Sequence, residues 1–205
     1  KDIVSIEDHS VLLNEKKGLG QAGLFDNKIN KSKEDITFEE ILKLYEESWI
    51  DDWFESKNKK QERKKQGQVI LKGFYEKYKA NWPSALYLEK GFNLKIKNGQ
   101  DFYIIRGAID RIDQVDGGLK LVDYKTGKPK KELKFDDKEQ LLIYQLAVQE
   151  LFKQEVKALT FYYLDDNSEF EFIGSTKDLE KIKNKIINTI EEIKKGKFKA
   201  SPGAL

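Results

Sequence analysis

Apolar and polar positions follow two different periods along the chain, and the change falls at Pro83. Before it, apolar residues such as Ile41 and Tyr45 recur at helical spacing, and after it apolar and polar residues alternate in short stretches. The two periods predict helices first and a sheet afterwards. We therefore expect an N-terminal helical segment, residues 1–82, in the same domain as a core formed by residues 83–205.

The helical segment contains one well-marked helix start. Thr37 is followed by Glu40 at the spacing of a capping box, and the run that follows, "TFEEILKLYEESWIDDWF", is amphipathic. A second amphipathic run, "QVILKGFYEKYKANW", ends at Pro83, and a candidate helix, "VSIEDHSVLLNEKK", lies near the start of the chain. The charged run "ESKNKKQERKKQG", which joins the two amphipathic runs, is either a solvated helix face or a mobile connection.

Three β-strands are predicted after Pro83, in "LYLEKGFNLKI", "DFYIIRGAIDRIDQV" and "LKLVDYKTG", joined by the turns "NGQ" and "DGG". A charged loop, "KPKKELKFDDKE", leads into the helix "QLLIYQLAVQELF". Two further strands, "VKALTFYYL" and "EFEFIG", precede a last helix that Thr176 is expected to cap. This order predicts an α/β fold in which helices flank a central mixed sheet.

Charged residues stand at the end of an otherwise apolar strand face. Because side chains alternate along a strand, Leu121, Asp123 and Lys125 share one face in "LKLVDYK". A buried charge is costly unless it is paired or bound to a metal, and a structural ion pair is the simplest interpretation. However, the tight turn before this strand makes the preceding strand antiparallel to it, so Asp110 is expected to approach Asp123.

Two neighbouring carboxylates repel each other unless they share a proton or a divalent cation. Oxygen ligands of this kind suit Mg²⁺ or Mn²⁺ better than zinc. A lysine beside such a cation can orient a water molecule or stabilise developing negative charge on a phosphate. Together these groups are suited to phosphodiester hydrolysis, which requires no cysteine, serine or histidine nucleophile.

These residues resemble the motif of the PD-(D/E)xK nucleases. The segments "GAIDRID…GGLKLVDYKTGK" and "QLLIYQLA" resemble the RecB-like branch, the nuclease domains of bacterial recombination helicase–nucleases and related exonucleases, over roughly residues 86–152. The resemblance implies a restriction-endonuclease-like core in which Asp110, Asp123 and the main-chain carbonyl of Tyr124 bind Mg²⁺ or Mn²⁺. It implies that Lys125 is the catalytic lysine.

Further residues are assigned only through this resemblance. Gln140 and Tyr144 match the Q-x-x-x-Y helix motif of the branch and face the same way on a helix, the alternative being a half-buried amphipathic helix. His9, the single histidine, corresponds to a histidine that completes the metal shell in many members, and an ordinary surface or core histidine is the alternative. Glu89 matches an acidic position and is interpreted as a structural or supporting residue rather than a ligand.

Composition limits the partners. The chain has 38 basic and 36 acidic residues and a formal charge of +2, so DNA must be bound by a local patch. The absence of cysteine excludes an iron–sulfur cluster held by this chain. No apolar run is long enough to span a membrane, and a cytoplasmic protein without a membrane partner is expected. The candidate DNA contacts are Arg106, Arg111, Lys128, Lys130 and Lys131.

The resemblance thus implies a metal-dependent deoxyribonuclease, an exonuclease more than an endonuclease, that acts in DNA repair and recombination. The resemblance also implies DNA as the partner, together with a helicase domain or subunit. The chain starts at Lys1 and contains no methionine, and it is expected to be part of a longer protein. A catalytically silent module that binds DNA ends for a helicase is the alternative, and a purely structural hairpin is a weaker third. The intact set Asp110, Asp123 and Lys125 favours activity.

Overall fold

The computed structural model of the protein describes residues 36–50 and 56–196. Two helices precede a five-stranded sheet, and two more helices follow the third and the last strand. This is the α/β arrangement of a mixed sheet flanked by helices that the sequence predicts. The elements are α1 (Phe38–Ser48), α2 (Lys57–Tyr78), β1 (Ala85–Asn98), β2 (Asp101–Val115), β3 (Gly118–Lys125), α3 (Phe135–Phe152), β4 (Val156–Tyr163), β5 (Ser168–Phe172) and α4 (Thr176–Lys194).

The helix ends follow local capping chemistry, with one correction to the prediction. The capping box of α1 is confirmed, because the Thr37 side chain accepts the N–H of Glu40 and the Glu40 side chain accepts the N–H of Thr37. From Lys57 onward the charged run is helical and forms the first turns of α2. The predicted cap of the last helix was wrong by one residue, since Ser175 accepts the N–H of Asp178 and Thr176 already lies inside α4.

No helix within the two described ranges is long and apolar enough to cross a membrane.

The strands lie in the order β1-β2-β3-β4-β5. Neighbours are antiparallel except β3 and β4, which are parallel and are joined through α3. A parallel pair requires such a long crossover, whereas hairpins such as β1–β2 and β2–β3 need only short turns. Gly99 and Gly117 provide the backbone of those turns, at φ values of 62° and 72° that favour glycine.

The core lies between the sheet and helices α3 and α4. Its centre is formed by side chains with no exposed surface, among them Leu119 and Leu121 of β3, Leu141 of α3 and Leu159 of β4. Helix α2 covers part of the opposite face, where the ring of Phe74 lies 5.7 Å from that of Tyr162. The first part of β3 is therefore buried on both faces, and its last residues lie at the margin of the core.

The alternation of side chains along β1 is interrupted between Tyr87 and Phe92. Tyr87 and Phe92 both contact aromatic rings of α3, at 5.3 Å and 5.8 Å, although they are five positions apart and strict alternation would place them on opposite faces. Glu89 lies in this interval with a left-handed backbone, φ 48°, which non-glycine residues adopt only at a cost. Asp110 of β2 lies opposite the interruption, so the irregularity falls beside a predicted site residue.

Candidate active site

The two predicted carboxylates lie side by side on adjacent strands, where the pairing of β2 with β3 ends. The register of β2 and β3 pairs Arg111 with Val122, and one step further along the two strands come Asp110 and Asp123. Their side chains therefore share one face of the sheet. The backbone N–H of Tyr124 donates to Oδ2 of Asp110 at 2.8 Å, which directs that carboxylate toward β3. The hairpin thus produces the close approach that its tight turn predicts.

Lys125 connects this pair to helix α3. Its Nζ lies 2.7 Å from Oδ2 of Asp123 and donates to Oε1 of Gln140 at 2.6 Å. Gln140 in turn donates from Nε2 to the hydroxyl of Tyr144 at 2.8 Å, one helical turn further along α3. A continuous row of polar contacts therefore runs from the strand ends to the helix. The ammonium group is restrained from two sides, since a carboxylate and an amide oxygen both contact it.

Negative charge dominates the electrostatics of this corner. Burial raises the pKa of Asp123, which is 2 % exposed, and Asp110 raises it further, while Lys125 opposes both effects. Burial also raises the pKa of the Tyr144 hydroxyl, and the charges of Asp123, Asp110 and Glu89 act in the same direction. Three carboxylates thus act on a site with one adjacent ammonium group, which favours an additional cation.

The donor set fits a hard divalent cation that retains water. Oδ2 of Asp123 is buried, and its contact with Lys125 is an ion pair without hydrogen-bond geometry, so the oxygen has no hydrogen-bond donor. Asp110 and the main chain of Tyr124 lie beside it. In the described part of the chain, no three side chains of His, Cys, Asp or Glu are grouped to bind a metal. Two carboxylates with a carbonyl and waters suffice for Mg²⁺, which commonly uses one or two protein carboxylates.

The predicted histidine ligand, His9, lies outside the described residues, and its role stays a prediction.

Three predicted DNA contacts lie on the loop that follows β3. Lys128, Lys130 and Lys131 are exposed, and Lys130 forms an ion pair with Asp137 at the start of α3. Beside Lys125 there is a cavity of about 290 Å³, which Lys128 and Lys130 line together with the rings of Phe161 and Tyr163. The loop thus places positive charge next to the carboxylate pair. Arg106 is exposed on β2, four residues before Asp110.

Arg111 is not placed with these residues, and its prediction as a DNA contact does not fit its surroundings. It is 4 % exposed and lies on the opposite face of the sheet from Asp110. Its guanidinium donates to the hydroxyl of Tyr124 at 2.6 Å and forms an ion pair with Asp113 at 3.0 Å. Alternation along β2 already separates Arg111 from Asp110, and that signal could have excluded it from the DNA surface.

A polar cluster on the same opposite face was missed from the sequence. Glu169 of β5 contacts Lys77 at 2.7 Å and Lys120 at 2.9 Å, and it accepts a hydrogen bond from the hydroxyl of Tyr78 at 2.9 Å. Burial opposes ionisation of Glu169, but these three partners outweigh burial and lower its pKa to about 2. The cluster fastens α2 to the sheet behind the carboxylate pair.

The fold and the site together define an α/β domain of the nuclease type, with neighbouring aspartates on two adjacent strands and a lysine two residues after the second. Residues 23–205 match the PD-(D/E)XK nuclease superfamily, and the chain belongs to that superfamily.

Other comparisons add little to this assignment. A solved structure described as "Crystal structure of SSO0001" is similar at 23 % sequence identity, with a TM-score of 0.43 over 64 % of this chain and 68 % of that one. A likeness of that size carries no argument about this chain. No curated protein matches the sequence.

Proposed function

We propose that the protein is a deoxyribonuclease of the RecB-like branch that requires Mg²⁺ or Mn²⁺ and hydrolyses phosphodiester bonds in DNA. One observation carries this proposal: the contact of Lys125 with both Asp123 and Gln140, beside Asp110. A structural ion pair at a strand end would require neither a second carboxylate nor an amide of α3. The combination is suited to holding a cation and a positioned ammonium group together.

Each residue has a distinct role in this proposal. Asp110, Asp123 and the carbonyl of Tyr124 would bind the cation, which supplies Lewis-acid stabilisation of the phosphate and a more acidic water. The N–H of Tyr124 orients Asp110. Lys125 donates hydrogen bonds to the attacking water or to a phosphate oxygen as negative charge develops. Gln140 sets the position of that ammonium group, and Tyr144 orients Gln140.

The basic loop after β3 supports DNA as the substrate. Lys128 and Lys131 are exposed within a few residues of Lys125, where they can contact phosphates on either side of the cleaved bond. Lys130 can do so by exchanging Asp137 for a phosphate. Exonuclease action, a role in recombination or repair, and a helicase domain or subunit as partner are proposed from the RecB-like resemblance alone.

The test is cleavage of labelled linear single-stranded DNA, linear duplex and circular single-stranded DNA in Mg²⁺, in Mn²⁺ and in chelator. We expect cleavage only with metal, and loss of the circular substrate would reveal endonuclease action. Lys125→Ala should lower the rate by about 10²–10³-fold without unfolding the protein. Lys183→Ala, which removes an ammonium group from the surface of α4, is the matched control and should leave the rate unchanged.

The outcomes separate the two candidate functions. Equal rates for Lys125→Ala and the parent protein would mean that Lys125 is structural and would overturn the proposal. A parent protein that binds DNA ends but cuts none of the substrates in either metal would instead support the catalytically silent module.

A further inference from the structure

One face of the β1–β2 hairpin is uncovered. Beyond the interruption at Glu89, one side of the hairpin packs Phe92, Leu94 and Ile96 into the core. All residues of the other side are exposed, and no helix of the described ranges covers them. We call this side the outer hairpin face; it consists of Gly91, Asn93, Lys95 and Lys97 of β1 and Phe102, Ile104, Arg106 and Ala108 of β2.

The outer hairpin face combines positive charge with two large apolar side chains. Lys95, Lys97 and Arg106 are its charged residues, and it contains no carboxylate. Phe102 is 52 % exposed and Ile104 is 57 % exposed, and they lie on the same strand as Arg106. The ammonium group of Lys95 lies 4.2 Å from the centre of the Phe102 ring. An aromatic ring with cations around it is the arrangement that binds stacked bases and their phosphates.

The charge of this face argues against a protein as its occupant. Charged residues are usually depleted at the centre of protein interfaces, and here the cations are interleaved with the two apolar side chains. The charges match a polyanion instead. A duplex buries its bases in the stack, whereas an unpaired strand presents bases that can stack on Phe102.

The outer hairpin face and the carboxylate pair lie on opposite sides of the sheet, although β2 contributes residues to both. Arg106 precedes Asp110 by four residues on β2, which is about 13 Å along the strand. Phe102 lies about 13 Å further away on the same strand. A DNA strand that contacts both would therefore cross from one side of the hairpin to the other between Asp110 and Arg106 and continue toward the turn at Gly99.

We propose that the outer hairpin face binds an unpaired DNA strand beyond the bond to be cleaved. Phe102 stacks on a base, and Lys95, Lys97 and Arg106 contact phosphates. This inference rests on the proposed nuclease function and assigns single-stranded DNA as the form in which the substrate leaves or enters the site.

Binding of a labelled oligothymidylate in chelator tests the inference without any cleavage. We expect Phe102→Ala to weaken binding by about 5- to 100-fold, the effect typical of one lost base stack, and Phe102→Trp to retain it. Val69→Ala removes another exposed apolar side chain, on α2, and should have no effect. Binding of a blunt duplex should depend much less on Phe102.

The phosphate contacts proposed for the lysines of the outer hairpin face are tested separately, through the salt dependence of binding. In a Lys95→Gln, Lys97→Gln double variant, the slope of log K against log salt for the oligonucleotide should decrease by roughly 0.7 for each lost contact. Thermal unfolding of each variant establishes that the hairpin is intact.

Several outcomes would overturn the inference. Unchanged affinity for Phe102→Ala together with an unchanged salt slope for the double variant would do so. An equal loss of duplex and single-strand binding in Phe102→Ala would also overturn it. The same holds if the variants change the oligomeric state of the protein and leave its DNA affinity unchanged. If the parent protein cuts no DNA but Phe102→Ala still weakens single-strand binding, this inference stands and the nuclease proposal fails.

Discussion

Tyr124 donates its backbone N–H to Oδ2 of Asp110 at 2.8 Å, so the main chain of one strand orients the carboxylate of the next. On the other face of the sheet, the hydroxyl of the same tyrosine accepts a hydrogen bond from Arg111 at 2.6 Å. The position of the backbone that contacts Asp110 therefore depends on contacts made on both faces. The geometry of the candidate site is coupled through Tyr124 to the buried ion pair Arg111–Asp113 on the opposite face of the sheet.

The free energy of unfolding should fall far more when one member of the buried pair Arg111–Asp113 is removed than when both are removed. Asp113→Ala leaves a guanidinium buried without its counter-ion and should lower the free energy of unfolding by roughly 3–5 kcal/mol. The double variant Arg111→Met, Asp113→Leu should lose much less, because neither charge remains. Urea unfolding of the parent and both variants measures this, and equal losses would show that the ion pair is not the cause.

Glu169 should stabilise the fold at neutral pH and not in strong acid. Its folded pKa of about 2 lies below the unfolded value of about 4.3, so its contribution is present above pH 4.3 and is lost as the pH falls toward 2. Glu169→Gln should therefore cost on the order of 2 kcal/mol at pH 7 and progressively less below pH 4.

Unfolding by denaturant at several pH values tests the contribution of Glu169. Glu155→Gln, which removes an exposed charge paired with Lys157, is the control and should change little at any pH. A Glu169→Gln deficit that persists at pH 2 would mean that lost packing, rather than lost charge, is responsible.

Metal binding should depend on the carboxylates and not on the lysine. Asp123→Ala removes the buried oxygen that has no hydrogen-bond donor and should abolish binding of Mn²⁺ in calorimetry. Lys125→Ala removes an ammonium group that competes with the cation for Asp123, so binding should be retained or strengthened. Unchanged binding by Asp123→Ala would place the metal elsewhere in the protein.

Gln140 should act through Lys125. Gln140→Ala removes the acceptor that fixes the ammonium group, and the cleavage rate should fall by roughly 10- to 100-fold from lost positioning. Binding of Mn²⁺ and of single-stranded DNA should be unchanged, which separates positioning from binding. Glu139→Ala, one residue earlier on α3 and paired with Lys185 instead, is the control and should cleave at the parent rate. A parent rate for Gln140→Ala would contradict this role.

Much of the site could be predicted from local pattern. Alternation along β3 places Asp123 and Lys125 on one face, and the short turn at Gly117 makes β2 antiparallel to β3. These are properties of a few consecutive residues, and the backbone geometry of strands and turns determines them wherever they occur. The capping box at Thr37 is local for the same reason and was predicted correctly.

Other features depended on contacts between distant residues. Lys77 and Glu169 lie far apart in sequence, and only the packing of α2 on the sheet brings them together. The exposed state of Phe102 likewise could not be predicted, since an alternating strand shows that one face is buried but not whether another element covers the second face.

The sequence by itself determined the strands, the hairpin and the face shared by Asp123 and Lys125, because these follow from the covalent geometry of adjacent residues. Tertiary structure decided that Lys125 contacts Gln140, that Arg111 is buried behind the site, and that one hairpin face is uncovered. Each of these outcomes depends on which elements pack together. Packing depends on how the whole apolar surface of the chain is buried. The pattern of any single segment therefore does not show which elements it packs against.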